Sequence, residues 1–273
     1  MRNTIRKELI LLLLFFSIFN LAKSDNKSFN ARTAALGEIT SVWKDESAIF
    51  NNQAGISYLT APVLSIYYHN RFNMDETGYG AIGFALPVKP GTFSFALSSF
   101  GYNIYNENTL SFGFGKKLGK YFSVGVSVNY LSTLIANNYK NVNGISANIG
   151  IISEPIKNLR IGFHVNNPFY IKYLNSSDEI IPVIFTLGAL YKAADKLFLA
   201  YEFKKSVKHD TEHKFAIEYM ALDHFFIRSG ININLAEYSF GLGYLYKNLK
   251  CDLAFSRHQV LGYSPHISLS YMF

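Results

Sequence analysis

The sequence predicts an all-β protein: a 14-stranded antiparallel transmembrane β-barrel, preceded by a segment that does not alternate. Three observations carry this. The chain is 49% hydrophobic and 16% aromatic, yet only 16% of its residues are charged, against about 25% in an average soluble domain. From residue 62 onward, segments of roughly 8–12 residues alternate apolar and polar positions, with turn signals between them, as strands with two different faces require. Beyond the first two dozen residues, no apolar run reaches the roughly 18 residues that a membrane-crossing helix needs. The apolar composition therefore belongs to strands.

Residues 1–24, "MRNTIRKELILLLLFFSIFNLAKS", place Arg2, Arg6 and Lys7 before an apolar run and end on Ala22-Lys23-Ser24. This is the layout of a secretory signal peptide, with a run too short to span a bilayer. Without its four basic residues and one acidic residue, the 26 Lys+Arg and 19 Asp+Glu of the chain become 22 and 18, a net charge of +4. So weak and dispersed a charge gives no footprint for nucleic acid. The single Cys251 cannot form an internal disulfide.

Residues 25–61 follow as a separate unit. The only tryptophan, Trp43, lies here, and a helix-like "ESAIF" is stopped by Asn51-Asn52. Small residues at Ala34, Ala35 and Gly37 suit close backbone approach, and Gly55 suits a positive φ where the chain turns into the first strand. Arg32 is expected to pair with a carboxylate of the barrel interior.

Residues 62–273 supply the barrel, with strands near 62–71, 77–87, 91–101, 106–117, 120–132, 144–153, 158–166, 181–191, 195–205, 211–221, 223–233, 236–246, 248–257 and 262–273. In "GYSPHISLSYMF" the residues Tyr263, Ile267, Leu269, Tyr271 and Phe273 share one face, opposite Ser264, His266, Ser268 and Ser270. The greasy face belongs to lipid, because only a closed barrel leaves no backbone group unpaired in hydrocarbon. Tight connections such as "KLGKY" and "KAADK" alternate with longer ones such as "NRFNMDETG" and "STLIANNYKNVNG". That asymmetry and an even strand number put both termini on the short-turn, periplasmic side of an outer membrane.

The same facing rule puts Arg160, His164, Glu202, Lys204, Glu218, Arg228, Asn232, Asn234, Lys250, Asp252, His258 and His266 inside. Charges there need partners, and Arg160, Glu202, Glu218, Arg228, Lys250 and Asp252 are read as a lumenal charge network. Gly125, Gly150, Gly162, Gly241 and Gly243 leave room for an occupant, and residues 25–61 are the nearest one.

Catalytic chemistry has little foothold. No G-x-S-x-G elbow, HExxH or clustered Cys/His spacing occurs, and no metal or cofactor is implied. Ser256 and His266 could meet only if the strand register brings them together. "GFGKKLGK" lacks the ending of a phosphate-binding loop.

One stretch carries a family resemblance. Ala31, Arg32, Ala34, Ala35, Leu36 and Gly37, then Asp45, Glu46 and Ala48, then Asn51, Asn52, Gln53, Ala54, Gly55 and Ile56 resemble the N-terminal motif of the PorV/PorQ family, relatives of the FadL-type outer-membrane transporters. The resemblance implies a 14-stranded barrel with residues 25–61 tucked in as a plug. Asn52-Gln53-Ala54 departs from the usual Asn-Pro-Ala of FadL-type plugs and fits the Bacteroidota branch. It implies a non-enzymatic accessory or interaction barrel, working with the type IX secretion system or another outer-membrane assembly. The partners are then outer-membrane lipid, a secretion translocon or a surface or cargo protein, and, during biogenesis, the barrel-assembly machinery. Leu269, Tyr271 and Phe273 resemble the C-terminal signal that this machinery reads. In the longest loop, 167–181, Phe169, Tyr170, Tyr173 and Leu174 form an apolar partner surface. The alternative is a FadL-like transporter of small hydrophobic molecules, which requires an apolar pocket and a gap in the wall.

Overall fold

The computed structural model describes residues 29–135, 141–169, 181–207 and 210–273. The signal-peptide reading of residues 1–24 falls outside them. Fourteen strands close into one antiparallel barrel in which each strand pairs with its neighbours in sequence and the first pairs with the last. They are β1 (Val63–Asn70), β2 (Gly78–Val88), β3 (Gly91–Gly101), β4 (Tyr105–Leu118), β5 (Phe122–Ile135), β6 (Val142–Ile156) and β7 (Leu159–Asn166), then β8 (Ile184–Ala194), β9 (Leu197–Ser206), β10 (Glu212–Leu222), β11 (Phe225–Asn232), β12 (Glu237–Tyr246), β13 (Leu249–His258) and β14 (Gly262–Met272). Each of the fourteen expected segments is a strand, displaced by at most a few residues. Seven residue pairs, Val63↔Met272 through His69↔His266, close the seam between β1 and β14.

Burial alternates along the strands as the sequence alternates. On β14, Ser264, His266, Ser268 and Ser270 are buried, whereas Tyr263, Ile267, Leu269 and Tyr271 are exposed. The outer surface carries large apolar side chains such as Phe112 and Val128 on adjacent strands, both more than half exposed. Tyr68, Tyr238 and Tyr263 lie near one rim of this belt, and Tyr121, Tyr191, Tyr246 and Tyr271 near the other. An apolar band with aromatic edges is the surface of a barrel standing in a bilayer. No helix among the described residues is long and apolar enough to cross a membrane.

The loop asymmetry is smaller than the sequence suggests. It rests on the connections 71–77, 136–141 and 167–183, whereas 102–104 and 259–261 on the same rim are as short as 119–121 on the other. Asn234 does not face the interior. It sits exposed in the turn after β11, where its side-chain Oδ1 accepts from the His213 amide at 3.0 Å. His258 lies at the strand end, its Nδ1 accepting from the amides of Val260 and Leu261 at 3.3 Å. Strand alternation does not extend to Asn234, which lies beyond the end of β11, whereas His258 keeps its register with Glu237.

Residues 29–59 pack inside the barrel. A short helix α1 (Ala31–Ala35) is capped by Asn30, whose side chain accepts from the Arg32 amide. Asp45 caps a 3-10 turn (Glu46–Ile49), and a second 3-10 turn (Gly55–Tyr58) leads to β1. The positive φ occurs at Gly37, +65°, and not at Gly55 as expected from the sequence. Gly55 is needed for space instead, since a Cβ there would overlap the Trp43 carbonyl oxygen. Three apolar clusters bind the segment to the wall. One joins Leu36, Ile39, Val42 and Trp43 to Leu190, Ala200 and Ala216, another sets Ile49 and Ile56 against Val63, Ala85 and Ala96, and the third sets Ala31, Ala34 and Ala35 against Tyr67, Ala81 and Ala254.

Candidate functional site

Small inward residues decide where the segment sits. A Cβ at Gly150 would overlap Asn52 Oδ1, one at Gly162 the Ser41 carbonyl oxygen, one at Gly125 the Gln53–Ala54 peptide, and one at Gly241 would meet the Ala35 Cβ at 2.5 Å. Gly243 differs, because Arg228 and Asp252 fill the space beside it. Asn52 is completely buried and donates to the Ser41 carbonyl at 2.7 Å while accepting from the Ala54 amide at 3.1 Å. Asn51 donates to the Ser47 carbonyl at 2.7 Å, and Gln53 and Ala54 are buried against β4 and β5.

The residues read as one lumenal charge network divide into three groups. In the first, Arg32 donates to both carboxylate oxygens of Glu218, at 2.9 and 2.7 Å, and also to Asp45. Arg228 donates to Glu218 at 2.6 Å and to Asp252 at 2.6 Å, and Lys250 reaches Glu46 at 2.5 Å. The Arg32 guanidinium also lies 4.1 Å from the Trp43 ring centroid. Burial opposes its charge, but Glu218, with Glu46 and Asp252, more than offsets this and raises its pKa above the ordinary value. Three cations thus face four carboxylates: Arg32, Asp45 and Glu46 come from the segment, and Glu218, Arg228, Lys250 and Asp252 from β10, β11 and β13.

The second group centres on Glu202 of β9. Its Oε2 accepts from the Thr40 amide at 2.7 Å and from the Ser41 amide and hydroxyl, each at 2.8 Å. Lys214 lies 3.6 Å from Glu202 and donates to the Glu38 carbonyl at 2.9 Å. In the third, Arg160 donates to Glu154 at 3.1 Å and to the Val42 carbonyl at 3.0 Å, and Lys44 pairs with the same Glu154. Each group contains a piece of residues 32–46, which no facing rule for the strands alone could show. Glu154 was missed in the sequence because it lies at the irregular register before Ile156.

The register does bring Ser256 and His266 together, at 3.1 Å between Oγ and Nε2. The other imidazole nitrogen bonds the Tyr67 hydroxyl at 2.8 Å, and the same hydroxyl meets His69 Nδ1 at 2.8 Å. The cluster ties β1, β13 and β14 together across the seam and borders neither of the cavities described next.

Two cavities lie on opposite sides of the segment. One of about 340 Å³ opens toward the short turns, between the Arg32–Asp45–Lys250 group and Phe226, Leu245 and Met272. The other, of about 260 Å³, opens toward the long loops and has Phe29, Phe50 and Tyr79 along one side. Phe29 is 5.1 Å from Tyr79 and 6.2 Å from Phe50, centroid to centroid. Of the expected partner loop, Phe169 is exposed, and Tyr170, Tyr173 and Leu174 fall outside the described residues.

No family model and no curated protein matches the sequence. Solved structures do match. The Ralstonia pickettii toluene transporter TbuX superimposes with a TM-score of 0.71 at 12% identity, covering 94% of this chain and 100% of that one. The fold is shared with FadL-like channels. The Pseudomonas putida toluene transporter TodX gives 0.68 at 12% identity, over 91% and 99% of the two chains. A Pseudomonas aeruginosa FadL homologue gives 0.63 at 14% identity, over 91% and 99%. At these identities the likeness concerns architecture, and function has to be argued from the site.

Proposed function

We propose that the chain is an outer-membrane channel for small hydrophobic molecules, with its termini in the periplasm. The observation that carries this reading is the loop-side cavity, bordered by rings of the N-terminal segment inside a barrel that shares its fold with toluene transporters. A small molecule entering this cavity from the loops meets Phe29, Phe50 and Tyr79 along one side of it. Passage to the turn side requires the segment to shift, because the glycine contacts and the Arg32 group fill the space between the two cavities. The test is uptake of radiolabelled toluene by cells of a host lacking such channels. Expression should raise the initial rate severalfold, and deletion of residues 25–58 should add ion conductance in planar bilayers. An unchanged uptake rate would overturn the reading.

A second reading is an accessory barrel of a secretion assembly, type IX or another, as the PorV/PorQ-like motif implies. What favours it is the dense seating of the segment in a wall whose ladder is continuous all the way round, together with the exposed Phe169. Affinity purification from native membranes separates the two. Co-recovery of a translocon that is lost on changing Phe169 and Tyr173 to Ser supports the accessory role, and recovery of the barrel alone removes it.

A further inference from the structure

The loop-side cavity is only half apolar. Phe29, Phe50 and Tyr79 form one side, and Tyr79 is held in place by stacking on His69, at 5.2 Å and an interplanar angle of 15°. The arc of wall from β3 to β7 is different. In register, Ser98 faces Thr109, Asn129 faces Ser146 and Asn148 faces Asn166. The middle pair is satisfied, since Asn129 donates to the Ser146 hydroxyl at 3.2 Å. Among the described residues, the side chains of Ser98, Thr109, Asn148 and Asn166 make no hydrogen bond, although all four border the cavity. Among the described residues, Glu107 is the one charged residue bordering it, and its carboxylate accepts from the Tyr105 hydroxyl.

Two unused hydrogen-bonding pairs on a wall with no basic residue among the described ones suit a neutral ligand with a hydroxyl edge. A plain hydrocarbon filling the same space would strip water from these groups and return no hydrogen bond. Glu107 repels anions, and alone among the described lining residues it offers a cation a single carboxylate, one oxygen of which already accepts from Tyr105. The rings of Phe29, Phe50 and Tyr79 supply contact for a flat apolar face. We propose that the cavity is a binding site for neutral hydroxylated aromatics of the phenol class, held by their ring against Phe29 and Tyr79 and by their hydroxyl on the Thr109–Asn148 arc. This rests on the channel reading above and narrows its ligand.

The experiment uses 4-bromophenol and bromobenzene with the full-length protein. Crystals soaked in each are read at the bromine anomalous edge. Affinities are measured by calorimetry in lipid nanodiscs, with empty discs as the blank. The expected result is a bromine peak in the cavity for 4-bromophenol and an affinity that falls about tenfold in Thr109→Val/Asn148→Leu, as the loss of one or two hydrogen bonds implies. Bromobenzene should bind more weakly and ignore the substitutions. If bromobenzene fills the cavity at least as tightly and the variant binds both compounds normally, the hydroxyl preference is wrong while the channel reading stands. If neither compound occupies the cavity, both readings fall. Heat-modifiable migration of the variant confirms that the barrel has folded.

Discussion

Arg32 and Glu218 form a two-pronged ion pair inside the barrel, joining a residue of α1 to one on β10 that lies 186 positions away in sequence. Both side chains are well buried, at 13% and 4% exposure. Neither has an alternative in water, so the pair fixes the segment against one particular strand.

Removing either partner should therefore loosen the segment without unzipping the ladder. Glu218→Ala leaves Arg32 and Arg228 facing each other, and the loss of one member of a buried pair costs about 3–5 kcal/mol. The expected result is a lower midpoint in heat-modifiable migration, together with protease cleavage within residues 29–59. Glu218→Gln should show the same change to a lesser degree. A variant with the wild-type midpoint and an uncut segment would contradict this.

Gly150 and Asn52 make a steric prediction. Gly150→Ala should cost about 1–3 kcal/mol, the usual effect of overpacking, because the added methyl overlaps Asn52 Oδ1. Asn52→Ala alone loses the bond to Ser41. The double variant should be less destabilised than the sum of the two singles, since the small side chain at 52 admits the methyl. Strict additivity in the double-mutant cycle would show that the two sites do not touch.

Lys44 supplies a pH dependence. Burial lowers its pKa below the ordinary lysine value, despite Glu154 beside it, and its ammonium sits 3.6 Å from the Tyr58 ring centroid. Between the lowered folded value and the ordinary unfolded value the unfolded chain binds more protons, so this contribution to stability rises with pH. Below the folded value its deficit is complete. The midpoint of the wild type relative to Lys44→Met should therefore rise as pH increases from neutral toward the ordinary lysine value. A flat difference would mean that Lys44 titrates as in water.

The C-terminal strand allows a test of assembly. The Phe273 amide donates to the Pro62 carbonyl at 2.9 Å, and its ring packs edge-on against Tyr271 at 5.0 Å. Phe273→Ser keeps the backbone bond and removes the ring. The assembled, heat-modifiable fraction in outer membranes should fall severalfold, whereas refolding of purified protein into detergent should be little affected. Equal losses in both settings would assign the ring to packing and not to recognition by assembly machinery.

The strand count and facing were legible because side-chain alternation is a local property. Phe122, Val124, Val126 and Val128 point outward because Ser123, Gly125 and Ser127 point inward, whatever the neighbouring strand does. The grouping of inward charges was not legible. Glu202 and Glu218 lie on adjacent strands, yet one receives Thr40 and Ser41 and the other Arg32. That division depends on how the segment threads past the wall, which involves contacts between residues more than 150 positions apart. Gly37 and Gly55 show the same limit. Both read as glycines with a backbone role, and only the packing reveals that one needs a left-handed φ and the other needs empty space. The cavity was also hidden, because Ser98, Thr109, Asn148 and Asn166 come from four strands whose register no local pattern specifies.

The seam between β1 and β14 has a kinetic consequence. Ala31, at the start of the described chain, bonds the Ser268 hydroxyl across a separation of 237 residues, and β1 pairs only with β2 until β14 exists. Such non-local closure is slow to form. Until β14 pairs with β1, the growing sheet presents two open edges and Ala31 lacks the Ser268 hydroxyl. The interval between translocation and closure is therefore when this chain is most open to misassembly, and the pairing of β14 with β1 ends it.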